Sequence, residues 1–290
     1  IGLGSMGMGM AASLLRGGHR VWGQDVNQAQ LARFRTEGGE PRSPADVAVE
    51  LDAAVVVVLN AAQTEDVLFG PAGLAPRLRP GAVVISCATI SPDLARNLEA
   101  RCSNHQLHYL DAPISGGAAR AAKGQLTIMA SGAPAAFTAA RPLLDAMAQT
   151  VFELGNEAGA GSAMKATNQM LAGIHIAAMA EAMTFGMTQG IAPQTFLDVI
   201  SRCAGTSWML ENRAPHVIAG DYTPLSSVNI WPKDLGIVLD IARAAQFTAP
   251  LTAAALQQFV AAAGMGLGGE DDAAVAKVYA RNAGLTLPGE

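Results

Sequence analysis

The sequence predicts an α/β protein with an N-terminal Rossmann doubly wound sheet, a long interdomain helix and an all-α C-terminal domain. Three observations carry that prediction. A glycine-rich turn near the start runs directly into a helical pattern. Short strand-like runs then alternate with helical segments, the signature of a mostly parallel sheet. From residue 191 onward only helical patterns follow. The expected division is therefore residues 1–158, a joining helix over 159–190, and a helical part over 191–290.

The opening stretch Ile1-Gly2-Leu3-Gly4-Ser5-Met6-Gly7 has G-x-G-x-x-G spacing, and Met8–Leu15 continues it as a helix. Gly2 permits a tight turn, Gly4 lets a pyrophosphate approach the backbone, and Gly7 allows close helix–strand packing. The phosphates of a dinucleotide then sit at a helix N-terminus. Arg20-Val21-Trp22-Gly23-Gln24-Asp25 reads as a short strand ending in an acid, 18 residues after Gly7. At that place a carboxylate hydrogen-bonds a ribose 2′-hydroxyl and repels a 2′-phosphate, so NAD is expected over NADP. Ile1 reads as the end of a strand, so the chain is expected to be preceded by a short further piece.

Strand candidates follow at Ala54–Leu59, Ala82–Ser86, Leu107–Leu110, Leu126–Ala130 and Val151–Leu154. Helical patterns at Gln28–Gly38, Pro92–Cys102 and Pro134–Met147 lie between some of them. Ligands of such sheets bind beyond the carboxyl ends of the strands. Asn60 and Thr89 both follow strands at that edge. Asp111-Ala112-Pro113-Ile114-Ser115-Gly116-Gly117 also follows a strand, and the amides of Gly116 and Gly117 beside Ser115 form a donor nest fit for a small carboxylate. An ordinary turn fits the same three residues.

Gly159–Gly190 is proline-free and rich in Ala, Met and Leu, and reads as one long helix N-capped at Ser162. Lys165, Asn168, Ala172 and His175 fall on one face of it, within roughly 80°. A polar stripe on an apolar helix marks a site lining the cleft between domains; a lysine reaching for solvent and a core histidine fit it as well. After it come helical segments at Pro193–Cys203, Lys233–Ala245, Pro250–Gly264 and Ala273–Asn282. Pro232 is expected to hold Trp231 out of helix geometry and to start its helix at about Lys233.

Composition narrows the function classes. Of 290 residues, 50% are hydrophobic and 15% charged, enough for real cores. The net charge of −5 leaves no basic footprint for nucleic acid or an anionic membrane surface. No uninterrupted apolar run of about 18 residues is visible, so no membrane span is expected. Three scattered cysteines, Cys87, Cys102 and Cys203, lack metal-ligand spacing and point to a reducing, cytoplasmic setting without disulfides or a bound metal.

Four stretches in order, Gly2-Leu3-Gly4-Ser5-Met6-Gly7, Asp111 to Gly117, Lys165-Ala166-Thr167-Asn168-Gln169 and Lys233-Asp234-Leu235, resemble the signature motifs of the β-hydroxyacid dehydrogenase family, over essentially the whole chain. The resemblance implies an NAD-dependent enzyme with Lys165 as general acid/base. It implies substrate contacts from Ser115, Gly116, Gly117 and Asn168. It also places Gly2, Gly4, Met6, Gly7, Asp25 and Asn60 on the cofactor, with Thr89 and Lys233 near the nicotinamide. Relatives usually show Ser-Thr where Ala88-Thr89 stands, so one hydroxyl contact is missing here.

The chemistry suits these residue types. Oxidising an alcohol sends a hydride to nicotinamide and a proton to a base, and an amine serves when apolar surroundings and a second cation favour its neutral form. The stretches Leu171–Ala178, Ser207–Arg213 and Gly220–Pro224 look most like the branch acting on L-threonate. His175 is then expected to reach distal hydroxyls of a four-carbon acid, with helix packing as its other use. The alternatives are activity on 3-hydroxyisobutyrate or tartronate semialdehyde, a non-catalytic NAD-binding module, and an imine reductase of the same fold. Exposed apolar faces on the C-terminal helices lead us to expect a homodimer or homotetramer.

Overall fold

The first residues of the chain extend a sheet. Val57 donates to the Ile1 carbonyl at 2.8 Å, and Gly2 donates to the Gln24 carbonyl at 2.8 Å. In the computed structural model, which describes residues 1–289, helix α1 (Ser5–Arg16) and helix α2 (Gln28–Thr36) flank this edge. The chain then alternates through β1 (Ala53–Val56), α3 (Ala61–Phe69), β2 (Val83–Ser86), α4 (Pro92–Asn104) and β3 (His108–Asp111). A hairpin-like stretch follows: β4 (Ile114–Ser115), α5 (Gly117–Ala122), β5 (Leu126–Ala130), α6 (Pro134–Met147) and β6 (Ala148–Glu153). Strands β1, β2 and β3 pair in parallel, with Ala54 opposite Val84 and Val84 opposite Tyr109. An antiparallel bridge from Asp111 to Ser131 leads on to β5, which pairs antiparallel with β4 and parallel with β6.

Strand β2, Val-Val-Ile-Ser, is buried at all four positions, as a parallel strand covered on both faces must be. Val84 packs with Val56, Leu68 and Leu98 in one core, and Val83 and Ile85 pack with Met10, Leu14 and Leu144 in the other. This unit comprises Ile1–Lys165.

The second unit, Ala166–Glu290, is helical. The long helix α7 (Ala160–Thr188) enters it, followed by α8 (Pro193–Ile200), α9 (Trp208–Ala219), α10 (Ile230–Ala244), α11 (Pro250–Ala262) and α12 (Ala276–Asn282). Ile176, Met179, Ala180 and Met183 of α7 share one core with Leu210, Trp231, Leu235 and Phe259. Trp231 stacks on Phe259 at 5.4 Å, and its indole N–H donates to Asp272, which also takes the Arg213 guanidinium. Trp231 is thus a core residue, while Trp208 is exposed.

Several expectations change. Residues 20–25 form a single bridge, Trp22 to Glu40, not a strand. They lie at the sheet edge, and Gly23 packs against the Phe34 ring where a side chain would collide. Helix α7 starts at Ala160, so Ser162 sits in its first turn and is not the N-cap. Helix α10 starts at Ile230 and includes Trp231. Pro232 is tolerated because first-turn N–H groups have no partner within a helix. Helices α3 and α9 had no clear signal, α9 because Pro215 interrupts its pattern. Helix α7 is long and apolar enough to cross a membrane, with a mean hydropathy of 1.3 over a window that is 44% buried. It passes on mean hydropathy alone, raised by its alanines and methionines, while Lys165, Asn168, Gln169, His175 and Glu181 interrupt it as the sequence reading requires. Its buried Lys165, Gln169 and Thr184 and its packing into the helical core mark it as an interior helix.

Gly173 of α7 lies where an added Cβ would meet Leu235 at 2.8 Å and the Trp231 ring at 3.0 Å, whereas Gly236 of α10 faces open space. Gly173→Ala is expected to cost on the order of 1–3 kcal/mol by overpacking. Gly236→Ala is expected to leave stability unchanged or raise it by up to about 1 kcal/mol. Urea unfolding of the two variants checks both.

Candidate active site

The glycine-rich turn is built by three different constraints. Gly2 has φ +84°, and a Cβ there would lie 2.5 Å from the Val57 carbonyl oxygen. A Cβ on Gly7 would lie 1.8 Å from the Gly2 oxygen, so only glycine lets α1 descend onto the strand. Gly4 takes an ordinary φ of −65°, and a Cβ there would meet nothing within 4 Å. Gly4 is also the N-cap of α1, and no side chain caps that helix. An open, uncapped helix N-terminus beside bare backbone fits the pyrophosphate of a dinucleotide. Met6 turns from this mouth into the core below.

Asp25 stands at the same mouth. Its Oδ2 accepts from the Leu3 N–H at 2.6 Å and its Oδ1 from the Asn27 N–H at 2.7 Å. Both oxygens keep a free lone pair, so the carboxylate is aimed and still able to accept from a ribose hydroxyl. Asn60 caps α3 by accepting from the Gln63 N–H at 2.9 Å, while Gln63 accepts from Leu59. Thr89 is half-buried in the turn after β2, ahead of α4, whose N-cap is Ser91.

Asp111 is the buried centre of this unit. Its Oδ1 accepts from the Ser162 hydroxyl at 2.7 Å; its Oδ2 accepts from Gly159 N–H at 2.9 Å and Ser162 N–H at 2.8 Å. The carboxylate of β3 therefore caps α7 across 51 residues of sequence. Burial raises its pKa, and the hydrogen bonds from Ser162, Gly159 and Ser131 oppose that rise. Gly161 completes the fit, since a Cβ there would lie 2.4 Å from the Met129 carbonyl oxygen.

Three residues beyond Ser162 comes Lys165, only 9% exposed. Its Nζ donates to the Ile114 carbonyl at 2.9 Å. The chain passes directly from Ile114 to Ser115, Gly116 and Gly117, with Gly116 at φ +132° and Gly117 at φ +75°. A Cβ on Gly117 would face open space. Lys165 and the Ser-Gly-Gly turn are thus brought together within the first unit.

In the second unit, Asn168 donates through Nδ2 to Gln169 Oε1 at 3.0 Å, and Gln169 Nε2 donates to Asp234 Oδ2 at 2.5 Å. Lys233 Nζ lies 2.5 Å from Asp234 Oδ1 as an ion pair, off a hydrogen-bond direction. The expected second cation is therefore ion-paired with its own neighbour. His175 is half-buried on α7, two turns from Asn168, about 10 Å along the axis. Gln169 and Asp234 were each inside a recognised stretch, but nothing local marked them as partners 65 residues apart.

An open glycine-rich mouth with a fixed acid, and a buried amine beside a glycine nest, define a nicotinamide-dependent oxidoreductase. Comparison with known proteins narrows the class. Residues 1–155 match the model of the NAD binding domain of 6-phosphogluconate dehydrogenase, and residues 159–279 that of the NAD-binding domain of NADP-dependent 3-hydroxyisobutyrate dehydrogenase. The chain is 50% identical to an L-threonate dehydrogenase of Cupriavidus necator, over 100% of this chain and 97% of that one. It is 46% identical to an L-threonate dehydrogenase of Escherichia coli K12, covering 100% and 95%. A crystal structure described as 3-hydroxyisobutyrate dehydrogenase from Salmonella typhimurium superposes with a TM-score of 0.90 at 47% identity, covering 96% of this chain and 97% of that one. The chain belongs to the β-hydroxyacid dehydrogenase family, of the 3-hydroxyisobutyrate dehydrogenase type.

The glycine geometry yields a paired prediction. Gly4→Ala is expected to fold with less than about 1 kcal/mol of change, because the methyl meets nothing, yet to bind a nicotinamide dinucleotide at least tenfold more weakly. Gly7→Ala is expected to lose stability as well as binding. Thermal unfolding with and without dinucleotide distinguishes the two.

Proposed function

We propose that this chain oxidises the hydroxyl of a small hydroxy acid to the oxo acid with NAD, with L-threonate or a similar four-carbon sugar acid as substrate. The observation that carries the reading is the buried Lys165 amine on the carbonyl that precedes Ser115-Gly116-Gly117. In it, the Ser115 hydroxyl and the Gly116 and Gly117 amides hold the substrate carboxylate. Lys165 takes the proton of the hydroxyl on oxidation and returns it on reduction. Asn168 orients that hydroxyl, and His175 receives a distal one. The bound nicotinamide supplies the hydride acceptor. In this reading Met6, Asn60, Thr89 and Lys233 contribute to binding the dinucleotide, Met6 from the core beneath the glycine-rich turn.

Asp25 supports NAD over NADP, since its carboxylate is held in place by two backbone N–H groups and repels a 2′-phosphate. The relatives named L-threonate dehydrogenase support the substrate choice. The Salmonella structure, named for 3-hydroxyisobutyrate at comparable identity, supports that acid as the second reading. Exposed Phe185, Phe247 and Leu251 support a homodimer or homotetramer, and the bacterial metabolic relatives support a cytoplasmic setting.

Steady-state rates on L-threonate, 3-hydroxyisobutyrate and tartronate semialdehyde, each with both dinucleotides, test the proposal. Highest kcat/KM on L-threonate is expected; no turnover of any four-carbon polyhydroxy acid removes that choice. Lys165→Ala is expected to lower kcat at least ~10²-fold with dinucleotide affinity nearly intact, and to abolish the limb of the pH–rate profile that reports the base. A variant that keeps most of its turnover refutes the acid/base role. Asp25→Ala is expected to narrow the preference for NAD at least tenfold, read as the ratio of kcat/KM for the two dinucleotides.

A further inference from the structure

Asn168 carries an amide whose two ends are nearly the same shape, so its chemistry toward a ligand depends on which end is turned outward. On a helix surface nothing would decide that. Here a chain of contacts does. Asp234, 2% exposed, offers only acceptor atoms. Gln169, 7% exposed, must therefore turn its NH2 group to Asp234, and the 2.5 Å contact between Gln169 Nε2 and Asp234 Oδ2 has that sense. Its carbonyl is then left facing Asn168, which can answer only with its own NH2 group, at 3.0 Å. Lys233 Nζ lies 2.5 Å from the other oxygen of Asp234 as an ion pair, which favours the charged, acceptor-only carboxylate.

We propose that Asp234 and Gln169 are positioning residues that fix the polarity of the Asn168 amide, so that its Oδ1 and one remaining N–H are presented to the substrate. The acceptor then takes a substrate O–H, and the N–H serves the oxygen that loses its proton. This rests on the reading of Asn168 as a substrate contact. A purely structural role, in which Gln169 and Asp234 merely fasten α7 to α10, makes a different forecast, because its cost would fall on stability and would not depend on Asn168.

The test is a double-mutant cycle on kcat/KM for the hydroxy acid, with thermal unfolding and the KM for dinucleotide measured alongside. Gln169→Met keeps length without hydrogen bonds, and Asp234→Asn keeps shape while losing the acceptor-only character. Each is expected to lower kcat/KM on the order of ten- to a hundredfold in the native background, with the dinucleotide KM moved less than about twofold by Gln169→Met, which leaves the Lys233–Asp234 pair in place. In an Asn168→Ala background each is expected to cost less than about twofold further, since there is no amide left to orient. Equal losses in both backgrounds overturn the relay while leaving Asn168 as a substrate contact. An Asn168→Ala enzyme with native kcat/KM overturns the contact itself, and the relay with it. Should Gln169→Met unfold, the isosteric Asp234→Asn decides alone by the same two comparisons.

Discussion

A carboxylate buried at the end of a strand, Asp111, is the constraint on which the first unit depends. It meets three N–H and O–H donors, one on Gly159 just before α7 and two on Ser162 in its first turn, which otherwise would end in water or stay unsatisfied. Burying a charge is costly unless hydrogen bonds replace its hydration, and the raised pKa of Asp111 records that burial is not fully offset. The cost makes geometric sense because a second clamp lies three residues on along both segments. Ser162 meets Asp111, and Lys165 meets Ile114. Two attachments at matched spacing fix both the axial position and the rotation of the first turn of α7, up to Lys165, against β3 and β4. A lysine amine on four rotatable carbons is held in place only where its backbone is held, and here the helix turn beneath it is fixed first.

The glycine-rich turn shows the opposite strategy, in which function occupies what packing leaves open. Gly2 and Gly7 are required by the fold, one by a positive φ and the other by a helix–strand approach too close for a side chain. Gly4 is required by neither. The single glycine of the motif with no structural reason is the one whose missing side chain leaves room for a ligand at an uncapped helix end.

What could be read from the sequence follows the range of the interactions. The glycine turn, the acid after it, the strand–helix alternation and the run of C-terminal helices are local patterns, and the structure has them. The polar stripe on α7 was legible too, since a 3.6-residue period brings Lys165, Asn168 and His175 to one side. The role of Asp111 was not, although it stood in a recognised stretch, because its partners lie 48 and 51 residues away. Gln169 and Asp234 were hidden for the same reason. Prolines misled in both directions: Pro232 marked a helix start that lies earlier, and Pro215 concealed a helix that continues through it. Propensity treats proline as a breaker, while a first turn has no N–H to lose and a packed helix tolerates one missing bond.

Under the proposed function, specificity cannot come from the groups shared by the whole family. A donor nest for a carboxylate and an amine for the proton serve any small hydroxy acid. Discrimination must rest on polar groups that only some substrates satisfy, and a site that expects a hydroxyl rejects a methyl far more strongly than an apolar pocket rejects a hydroxyl. In the proposed reading His175 and Asn168 are two such groups, one offering a ring nitrogen and the other a carbonyl oxygen. Both sit on one helix, so their spacing is set by the backbone rather than by loops. A four-carbon acid with hydroxyls along its length engages both, and 3-hydroxyisobutyrate, with one hydroxyl and a methyl branch, leaves one of them unpaired. Preference for the sugar acid then follows from the penalty for a stranded polar group.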